Sequence, residues 1–464
     1  MKKRIMAAAL AAALTVTSFA GCGNNSGVTS GSEGSDSKSA DIENSAAVAG
    51  EVDVTGTEIT FWHAMGGVNG EAMEYLVNKF NEENEYGIKV VSEYQGSYDD
   101  ALNKLKSAQL GNMGADLVQV YDIGTRFMID SDWIIPVQDF MDKDDYQINL
   151  EKNIAAYYTV NDELYSMPFN SSTPILYYNA DMFKESGIEK APETFSEIAD
   201  ISDDLQSKGG AKETISLGIY GWFFEQFLCK QGVNYANNGN GREGAATAVE
   251  FDTNGGGLQI LEAWKNLYDT GVAPNVGRGG DAGLADFSSG KAAITLGSTA
   301  SLKQILEDVN GKFEVGTAYF PATGADDKGG VSIGGASLWA LENGDEKKAA
   351  ATWEFVKFLV SAQSQAYWNA QTGYFPVTPD AYEVDIFKEN IEKYPQFQTA
   401  IDQLHDSAPQ YAGALLSVFS EARAIVETEI ENMLNGKQSP QEAVDKMASD
   451  INTAIEDYNL VNEE

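Results

Sequence analysis

The sequence predicts an α/β protein with large hydrophobic cores, and three observations lead to that prediction. Strand-like and helix-like patterns alternate along the chain from residue 52 onward. Hydrophobic residues make up 43% of the 464 residues and aromatic residues 11%, which is enough to fill large cores. No internal repeat interrupts this pattern. At about 150 residues per domain, the length fits about three domains, or two large domains with an unstructured segment.

The first elements form a βαβ unit. Segments 58–65 (EITFWHAM) and 87–94 (GIKVVSEY) are rich in β-branched and aromatic residues, which favours strands. Between them, apolar residues recur at helical spacing in 71–83. A helix around 98–110 and a third strand at 116–121 follow. This order predicts a parallel sheet covered by helices.

Later elements are indicated by helix-start signals and β-forming residues. Two capping-box patterns, Thr194 with Glu197 and Ser439 with Glu442, predict helix N-termini. Pro440 suits the first helical position. Further helices are expected at 257–270, 301–309 and 346–360. Further strands are expected at 174–178, 292–296 and 313–320.

The charge balance excludes partners that require a basic surface. Lys and Arg number 31 against 70 Asp and Glu, which gives a net charge of −39. A nucleic-acid backbone needs a clustered basic face, so we expect no nucleic-acid partner. Anionic lipid head groups would also be repelled, so any membrane attachment requires a covalent or hydrophobic anchor.

The N-terminal segment has the features of an export signal and a tether. Residues 2–4 are basic, and residues 5–19 form an apolar stretch that is too short to span a bilayer but typical of a signal peptide. Cys22 follows small residues and resembles the cysteine of a bacterial lipobox. The resemblance implies removal of residues 1–21 and lipidation of Cys22, with a plain signal peptide and an incidental cysteine as the alternative. Residues 22–51 are mainly Gly, Ser, Asn and Ala, which predicts a flexible linker.

Patterns for catalysis, metals and cofactors are weak. His63 and His405 are the two histidines, and neither has a metal-ligand neighbour, which argues against a metal site or a histidine-based triad. Cys229 is the one cysteine beyond Cys22, so no internal disulfide is expected, and it should pack as a small hydrophobe. Carboxylate pairs are uninformative among 70 acids, which leaves a glycosidase open. We expect no cofactor and no metal.

Three stretches combine aromatic residues, hydroxyls and glycines: 168–179 (PFNSSTPILYYN), 333–339 (IGGASLW) and 372–378 (TGYFPVT). Together with FWHAM from residue 61 and QVYDIGT from residue 119, they resemble the glycerol-3-phosphate-binding subunit of bacterial ABC importers, an extracellular solute-binding protein of family 1. The resemblance implies a two-lobed, type II periplasmic-binding-protein-like fold. Each lobe would be a mixed sheet flanked by helices, joined to the other by crossing hinge segments that close on ligand.

The resemblance also implies how the chain divides. We expect an N-terminal lobe of residues 52–167 and 316–372, and a C-terminal lobe of residues 168–315 and 373–464. Strand-like and proline-containing segments predict crossings between the lobes near 166–170, 314–320 and 372–377.

Seven ligand-binding positions of that family match motifs in this chain. They are Tyr98, Asp122, Ser172, Ser298, Gly335, Tyr374 and Arg423. Hydroxyls, a glycine N–H and a planar guanidinium suit the oxygens of a phosphate. Asp122, which replaces the commoner Glu, would repel phosphate and is expected at the glycerol end of the ligand. Trp222 is an eighth candidate, as a wall of the cleft. The family tends to carry two tryptophans in this segment, and in this chain Ile219 occupies the position of the other tryptophan.

Three interpretations of function remain. The first is a lipid-anchored, non-enzymatic binding protein on the outer face of the bacterial cytoplasmic membrane. It would capture glycerol 3-phosphate or a glycerophosphodiester such as glycerophosphocholine and deliver it to a permease as a monomer. Removal of residues 1–21 brings the net charge to −42, which opposes an anion, and Ile219 leaves room for a choline group. The second is a sugar- or oligosaccharide-binding protein, and the third is a lipid-anchored glycosidase.

Overall fold

Two mixed β-sheets, a short two-stranded antiparallel sheet and the helices around them make up the computed structural model, which describes residues 46–109, 111 and 114–462. The expected signal peptide, Cys22 and most of the expected linker lie outside the described residues. The strands in chain order are β1 (Glu58–His63), β2 (Lys89–Tyr94), β3 (Leu117–Tyr121), β4 (Ile134–Ile135), β5 (Thr159–Val160), β6 (Glu163–Leu164), β7 (Met167–Ser172), β8 (Pro174–Asn179), β9 (Glu213–Ile219), β10 (Asn275–Arg278), β11 (Ala292–Ser298), β12 (Val315–Tyr319) and β13 (Gly334–Leu341).

Helices connect most of the strands. The α-helices are Gly67–Glu83, Tyr98–Gln109, Thr125–Asp130, Val137–Lys143, Lys152–Tyr158, Ala180–Ser186, Phe195–Asp200, Ser202–Ser207, Gly221–Gln231, Gly256–Asp269, Asp281–Ser288, Leu302–Val309, Glu346–Leu359, Ala362–Thr372, Asp385–Lys393, Gln396–Asp406, Phe419–Leu434 and Pro440–Asn462. Short 3-10 turns lie at Asp122–Gly124, Thr299–Ser301, Pro379–Glu383 and Pro409–Tyr411. Within the part of the chain that the structure describes, none of these helices is long and apolar enough to cross a bilayer.

The first sheet has the order β2-β1-β3-β13-β4, and β7 also pairs with β13. β1 runs parallel to β2 and β3, as the βαβ pattern predicts. β13 runs antiparallel to β3, β4 and β7, so the sheet is mixed. Met73, Leu76 and Phe80 of the first helix are buried in its core. That helix begins at Gly67, four residues before the predicted start, because the added turn of residues 67–70 contributes no buried apolar residue to the periodic pattern.

The second sheet has the order β10-β9-β11-β8-β12. β9 runs parallel to β10 and β11, and β8 runs antiparallel to β11 and β12. Sequence analysis predicted β8, β11 and β12 but not β9 or β10. Residues of β9 and β11, such as Ile215 and Leu296, share a hydrophobic cluster with Trp264 of helix Gly256–Asp269.

The chain changes sheets at points that differ from two of the predicted crossings. Most of segment 166–170 lies in β7 of the first sheet, and segment 314–320 contains β12 of the second. The chain enters the second sheet after Thr173 and returns between β12 and β13. The predicted lobe boundaries at 167/168 and 315/316 therefore fall inside strands, because backbone ladders hold β7 to β13 and β12 to β8. How the other residues divide between the lobes stays a prediction.

Segment 372–377, the third predicted crossing, follows helix Ala362–Thr372, and its Phe375 still pairs with Ser171 of the first sheet. The backbone N–H of Phe375 donates to the carbonyl of Ser171 at 2.8 Å. Farther on, the side chain of Gln396 donates to the carbonyl of Val315 in β12 at 2.9 Å. Helix Gln396–Asp406 thus contacts the second sheet, and a crossing within 372–377 stays a prediction.

The two predicted capping boxes differ in outcome. At Ser439 the box is complete, since Ser439 N donates to the Glu442 carboxylate at 2.8 Å and Glu442 N to Ser439 Oγ at 3.3 Å. Thr194 accepts from Glu197 N at 3.1 Å, but the Glu197 carboxylate accepts from Glu193 N instead. The box at Thr194 therefore differs from the predicted one, because the carboxylate of Glu197 accepts from the backbone N–H one residue before Thr194.

Candidate ligand-binding site

Three of the predicted ligand residues lie at one edge of the first sheet. Gly335 on β13 lies opposite Ser171, the neighbour of Ser172. The next residue of β13 lies opposite Tyr121, which precedes Asp122. Gly335 has φ of +99°, and a Cβ there would lie 1.9 Å from a backbone oxygen of β7, so only glycine fits. The strand register therefore brings Ser172, Gly335 and Asp122 together.

Two predicted tyrosines meet beside this edge. The hydroxyl oxygens of Tyr98 and Tyr374 are 3.5 Å apart, and Asn170 Nδ2 donates to the Tyr98 hydroxyl at 2.8 Å. The indole of Trp368 stacks on the Tyr374 ring at 6.0 Å. Burial raises the pKa of both tyrosines, so their hydroxyls stay protonated and can donate. Asn170 lies inside the PFNSS motif, but sequence analysis did not select it.

Ser298 and Trp222 approach from the second sheet. Ser298 ends β11 opposite Pro174, and its Oγ accepts from Ala300 N at 3.1 Å, so it also caps the following 3-10 turn. Trp222 is buried, and a Cβ added to Gly334 would lie 2.7 Å from its indole, so it covers β13. Trp222 Nε1 is buried with no acceptor among the described residues.

Arg423 completes the group through a buried ion-pair cluster, hereafter the Arg423 cluster, made of Arg423, Asp122 and Glu225. Arg423 Nε donates to Glu225 Oε1 at 2.6 Å, and Nη2 donates to Glu225 Oε2 and Asp122 Oδ2, each at 2.9 Å. The side chains of Arg423, Asp122 and Glu225 are 10%, 7% and 12% exposed. The rings of Tyr220 and Phe419 flank the guanidinium at 6.0 and 5.8 Å.

The Arg423 cluster corrects one prediction and adds one residue. Asp122 was expected at the end of the ligand away from the arginine, but it bonds to Arg423, because a buried carboxylate needs a cation beside it. Glu225 was missed. Its sole signal is its position three residues after Trp222, which puts both on one face of helix Gly221–Gln231.

Negative charge exceeds positive charge in this region. Burial raises the pKa of Asp122 and of Glu225 even though Arg423 opposes the shift. Burial disfavours the charge of Arg423, but Glu225 and Asp122 raise its pKa well above the usual value. Glu427, one turn beyond Arg423, accepts from Gly221 N at 2.9 Å, and burial raises its pKa as well. Arg423 bonds to two of these three acids, Asp122 and Glu225, and the charges of Arg423 and Arg278 both oppose the rise in the pKa of Glu427.

Ile219 does not form a wall of the cleft. It is fully buried at the end of β9 in the hydrophobic cluster. The room that sequence analysis assigned to a head group beside Ile219 is therefore filled by core packing. The next residue, Tyr220, lies against Arg423 instead.

A small cavity of about 10 Å³ adjoins the Arg423 cluster and has room for about one water molecule. Asp122, Glu225, Cys229 and Tyr157 are among its lining residues. Cys229 is buried, as predicted, and burial raises the pKa of its thiol to about 11.

A second arginine, Arg242, lies beyond this cavity. Its guanidinium donates to four backbone carbonyls, those of Gly413, Ala156, Tyr157 and Ala412, at 2.7 to 3.3 Å. It also stacks on the Tyr157 ring at 5.1 Å. Ala156 and Tyr157 end helix Lys152–Tyr158, where carbonyls lack intrahelical partners and a cation is favourable. Burial lowers the pKa of Arg242, and none of the described carboxylates forms an ion pair with it.

The histidines and acids offer no metal site among the described residues, where no group of three potential ligands occurs. His63 Nδ1 accepts from Met65 N at 3.2 Å, and burial lowers its pKa to about 4. His405 pairs with Glu151 at 3.2 Å. The site therefore has donors and acceptors for an organic ligand, without a histidine placed for nucleophilic chemistry.

Comparison with known proteins gives a family match. A model for bacterial extracellular solute-binding proteins matches residues 75–399. The sn-glycerol-3-phosphate-binding periplasmic protein UgpB of Shigella flexneri serotype 5b (strain 8401) is 33% identical over 400 residues, which cover 84% of this chain and 90% of that relative.

Solved structures share the fold. UgpB from Mycobacterium tuberculosis in complex with glycerophosphocholine has a TM-score of 0.74 at 21% identity, covering 87% of this chain and 99% of that one. The GacH receptor of Streptomyces glaucescens, solved unliganded and with acarbose, has a TM-score of 0.70 at 20% identity, covering 86% and 99%. These similarities confirm the predicted two-lobed α/β fold.

Proposed function

The chain belongs to the bacterial extracellular solute-binding proteins, and we propose that its ligand is glycerol 3-phosphate or a glycerophosphodiester such as glycerophosphocholine. It is a binding component of an ABC importer and not an enzyme, as the family and its relatives indicate. The choice of ligand is supported by the 33% identity to a glycerol-3-phosphate-binding protein over most of both chains.

Contacts between predicted residues far apart in sequence are the observation that supports this proposal. Tyr98 meets Tyr374, Asp122 bonds to Arg423, and Gly335 lies opposite the neighbour of Ser172. Two donors there lack an acceptor among the described residues. Trp222 Nε1 has no acceptor in the described chain, and neither does Arg423 Nη1. Phosphate oxygens can accept from such donors, while Asp122 can accept from a glycerol hydroxyl.

Capture follows from the placement of these residues on both sheets. Tyr98 and Gly335 belong to the first sheet and its helices, whereas Trp222 and Ser298 belong to the second. A ligand that touches both favours the closed arrangement by its difference in affinity for the closed and open forms. The closed form is then the one delivered to the permease.

Native mass spectrometry of the purified protein tests the ligand. We expect a retained phosphorus-containing ligand, and calorimetry should detect binding of glycerol 3-phosphate or glycerophosphocholine. A ligand at about 100 times its dissociation constant should raise the free energy of unfolding by about 2.7 kcal/mol. Retention of a phosphorus-free sugar, with no binding of either glycerophosphate, would overturn the proposal.

A sugar or oligosaccharide is the second candidate ligand. It is favoured by the fold shared with the GacH receptor, whose structure includes acarbose, and by Trp222 on the same helix as the carboxylate of Glu225. Titration with maltotriose in the same calorimeter separates the two candidates. Heat with maltotriose and none with glycerophosphates would select the sugar.

We also propose that Cys22 carries a lipid that holds the protein, as a monomer, on the outer face of the bacterial cytoplasmic membrane. Export is a property of the family, and basic residues 2–4 followed by apolar residues 5–19 support a signal peptide. Cys22→Ala should move the protein from the membrane fraction to the soluble fraction. Cys229→Ala is the matched control and should stay with the membrane. Equal fractionation of the two variants would contradict lipidation.

A further inference from the structure

We propose, resting on the proposed function, that Glu225 sets ligand class. It disfavours the dianion glycerol 3-phosphate and favours a phosphodiester that carries its own positive charge. Three observations support this role. They are the charge of the Arg423 cluster, the hydrogen bonds that Glu225 takes from Arg423, and the packing that brings Glu225 there.

The charge of the cluster is already negative before a ligand arrives. Asp122 and Glu225 both bond to Arg423, and all three side chains are at most 12% exposed. A phosphate monoester adds a charge of about −1.5 to −2 at pH 7. A phosphodiester with a quaternary ammonium or amine adds none in total. Repulsion between charges grows as water is excluded, so the cluster discriminates between these two classes.

Glu225 also limits what Arg423 offers to phosphate. Its carboxylate binds Nε and Nη2 together, and Asp122 shares Nη2. In the described chain, no residue accepts from Nη1. A phosphate group can therefore reach one nitrogen, whereas a paired contact with two nitrogens requires a carboxylate to leave. Loss of the paired contact weakens binding of a phosphate monoester most, because that ligand depends most on a cation.

The position of Glu225 is fixed by close packing of two helices. Gly221 begins helix Gly221–Gln231, and a Cβ there would lie 3.1 Å from the Cβ of Arg423. Glu225 lies one turn later on the same helix, so its carboxylate reaches the guanidinium. Tyr220 precedes this helix and Trp222 lies on it, with their rings 5.9 Å apart, so aromatic rings that can attract a ligand cation lie near the Glu225 carboxylate.

The test is calorimetry of the full chain with two ligands, glycerol 3-phosphate and glycerophosphocholine. Glu225→Gln keeps the shape and removes the charge. We expect glycerol 3-phosphate to bind about tenfold or more tightly, while the affinity for glycerophosphocholine changes by less than about threefold or falls. The ratio of the two dissociation constants is the readout, because a general structural defect would weaken both ligands alike.

Glu431→Gln is the matched control. Glu431 lies on the same helix as Arg423 and pairs with Arg278 at 2.7 Å, but its side chain is 36% exposed. The Glu431→Gln substitution makes the same change in net charge as Glu225→Gln, but outside the Arg423 cluster. We therefore expect the ratio of the two dissociation constants to stay within about twofold of wild type.

The outcomes separate the two proposals. A Glu225→Gln ratio within about threefold of wild type, or an equal shift in Glu431→Gln, overturns the role of Glu225 while leaving the glycerophosphate ligand in place. Binding of maltotriose with neither glycerophosphate overturns the proposed function, and the role of Glu225 falls with it.

Discussion

Two arginines lie on either side of one small cavity, and their partners differ. Arg423 bonds to the carboxylates of Asp122 and Glu225, whereas Arg242 donates to four backbone carbonyls. Tyr157 lines the cavity and stacks on Arg242, while Asp122 and Glu225 line its other side. The two regions are therefore neighbours, but charged carboxylates bind the guanidinium of Arg423, whereas neutral backbone carbonyls bind that of Arg242.

This difference in partners predicts that Arg423 serves ligand binding and that Arg242 serves the stability of the fold. Carboxylates are charged partners that a ligand's phosphate or ammonium can replace or join, so the Arg423 cluster responds to the charge of a ligand. Carbonyls at a helix end are fixed by the backbone, and a ligand has nothing to exchange with them. We therefore expect changes at Arg423 to alter affinity and changes at Arg242 to alter stability.

The largest expected effect is on affinity. Arg423→Ala should weaken binding of the best ligand by about 30-fold to several thousandfold, because a desolvated anion loses about 2 to 5 kcal/mol without its charged partner. Arg423→Lys should recover part of this, since lysine restores the charge but not the planar fork. Calorimetry at neutral pH measures both variants, and circular dichroism confirms that each is folded.

Arg242→Ala serves as the counterpart in that experiment and should stay within about tenfold of wild type. If Arg423→Ala bound its best ligand within threefold of wild type, the Arg423 cluster would not be part of the site. The comparison would also break if Arg242→Ala weakened binding as much as Arg423→Ala.

The next effect is on stability. Arg242→Ala should lower the free energy of unfolding by about 2 to 4 kcal/mol, because it removes hydrogen bonds from a charged group and leaves carbonyls unpaired. Urea unfolding of the ligand-free proteins measures the change. Arg278→Ala removes an exposed ion pair with Glu431 and should cost under about 1 kcal/mol. Equal losses for the two variants would mean that Arg242 is not a structural bridge.

A smaller effect concerns the dependence of stability on pH. Burial raises the pKa of Glu225, so its folded-state value exceeds the unfolded value of about 4.3. The folded protein then holds the proton more tightly. The contribution of this carboxyl to stability is full below the unfolded pKa and is lost as pH rises through the raised value. Wild-type stability should therefore fall over that range because of this group.

Glu225→Gln should make that fall shallower, whereas Arg242→Ala should leave the slope unchanged because no carboxylate in the described chain pairs with Arg242. Urea unfolding at several pH values between 4 and 8 supplies the slopes. A slope that is the same in wild type and Glu225→Gln would contradict the raised pKa of Glu225.

The smallest effect is on access to the cavity between the two regions. Cys229 lines this cavity, and at pH 8 a thiol of pKa about 11 is ionised to about one part in a thousand. In a Cys22→Ser background, a thiol reagent should label the native protein slowly. Arg242→Ala should speed labelling by roughly fivefold, because it loosens the wall of the cavity. Arg278→Ala should not change the rate, and an increase there would point to general unfolding instead.

The sequence by itself determined the elements whose signals are local. The β-branched runs predicted β1 and β8 to within two residues, and Ser439 with Glu442 predicted a helix start that the structure confirms. Motif resemblance also selected seven residues, and among them Tyr98 meets Tyr374 and Asp122 bonds to Arg423. Each of these residues could be selected from the sequence because the motif that marks it spans only a few neighbouring residues.

The tertiary structure alone decided where the chain changes sheets and which charges meet. β7 and β12 belong to the sheets whose backbone ladders they complete, and no local pattern specifies that pairing. Arg423 lies 301 residues from Asp122 and 198 from Glu225, among 70 acids that look alike in sequence. Burial makes these contacts strong, and burial is a property of the packed chain.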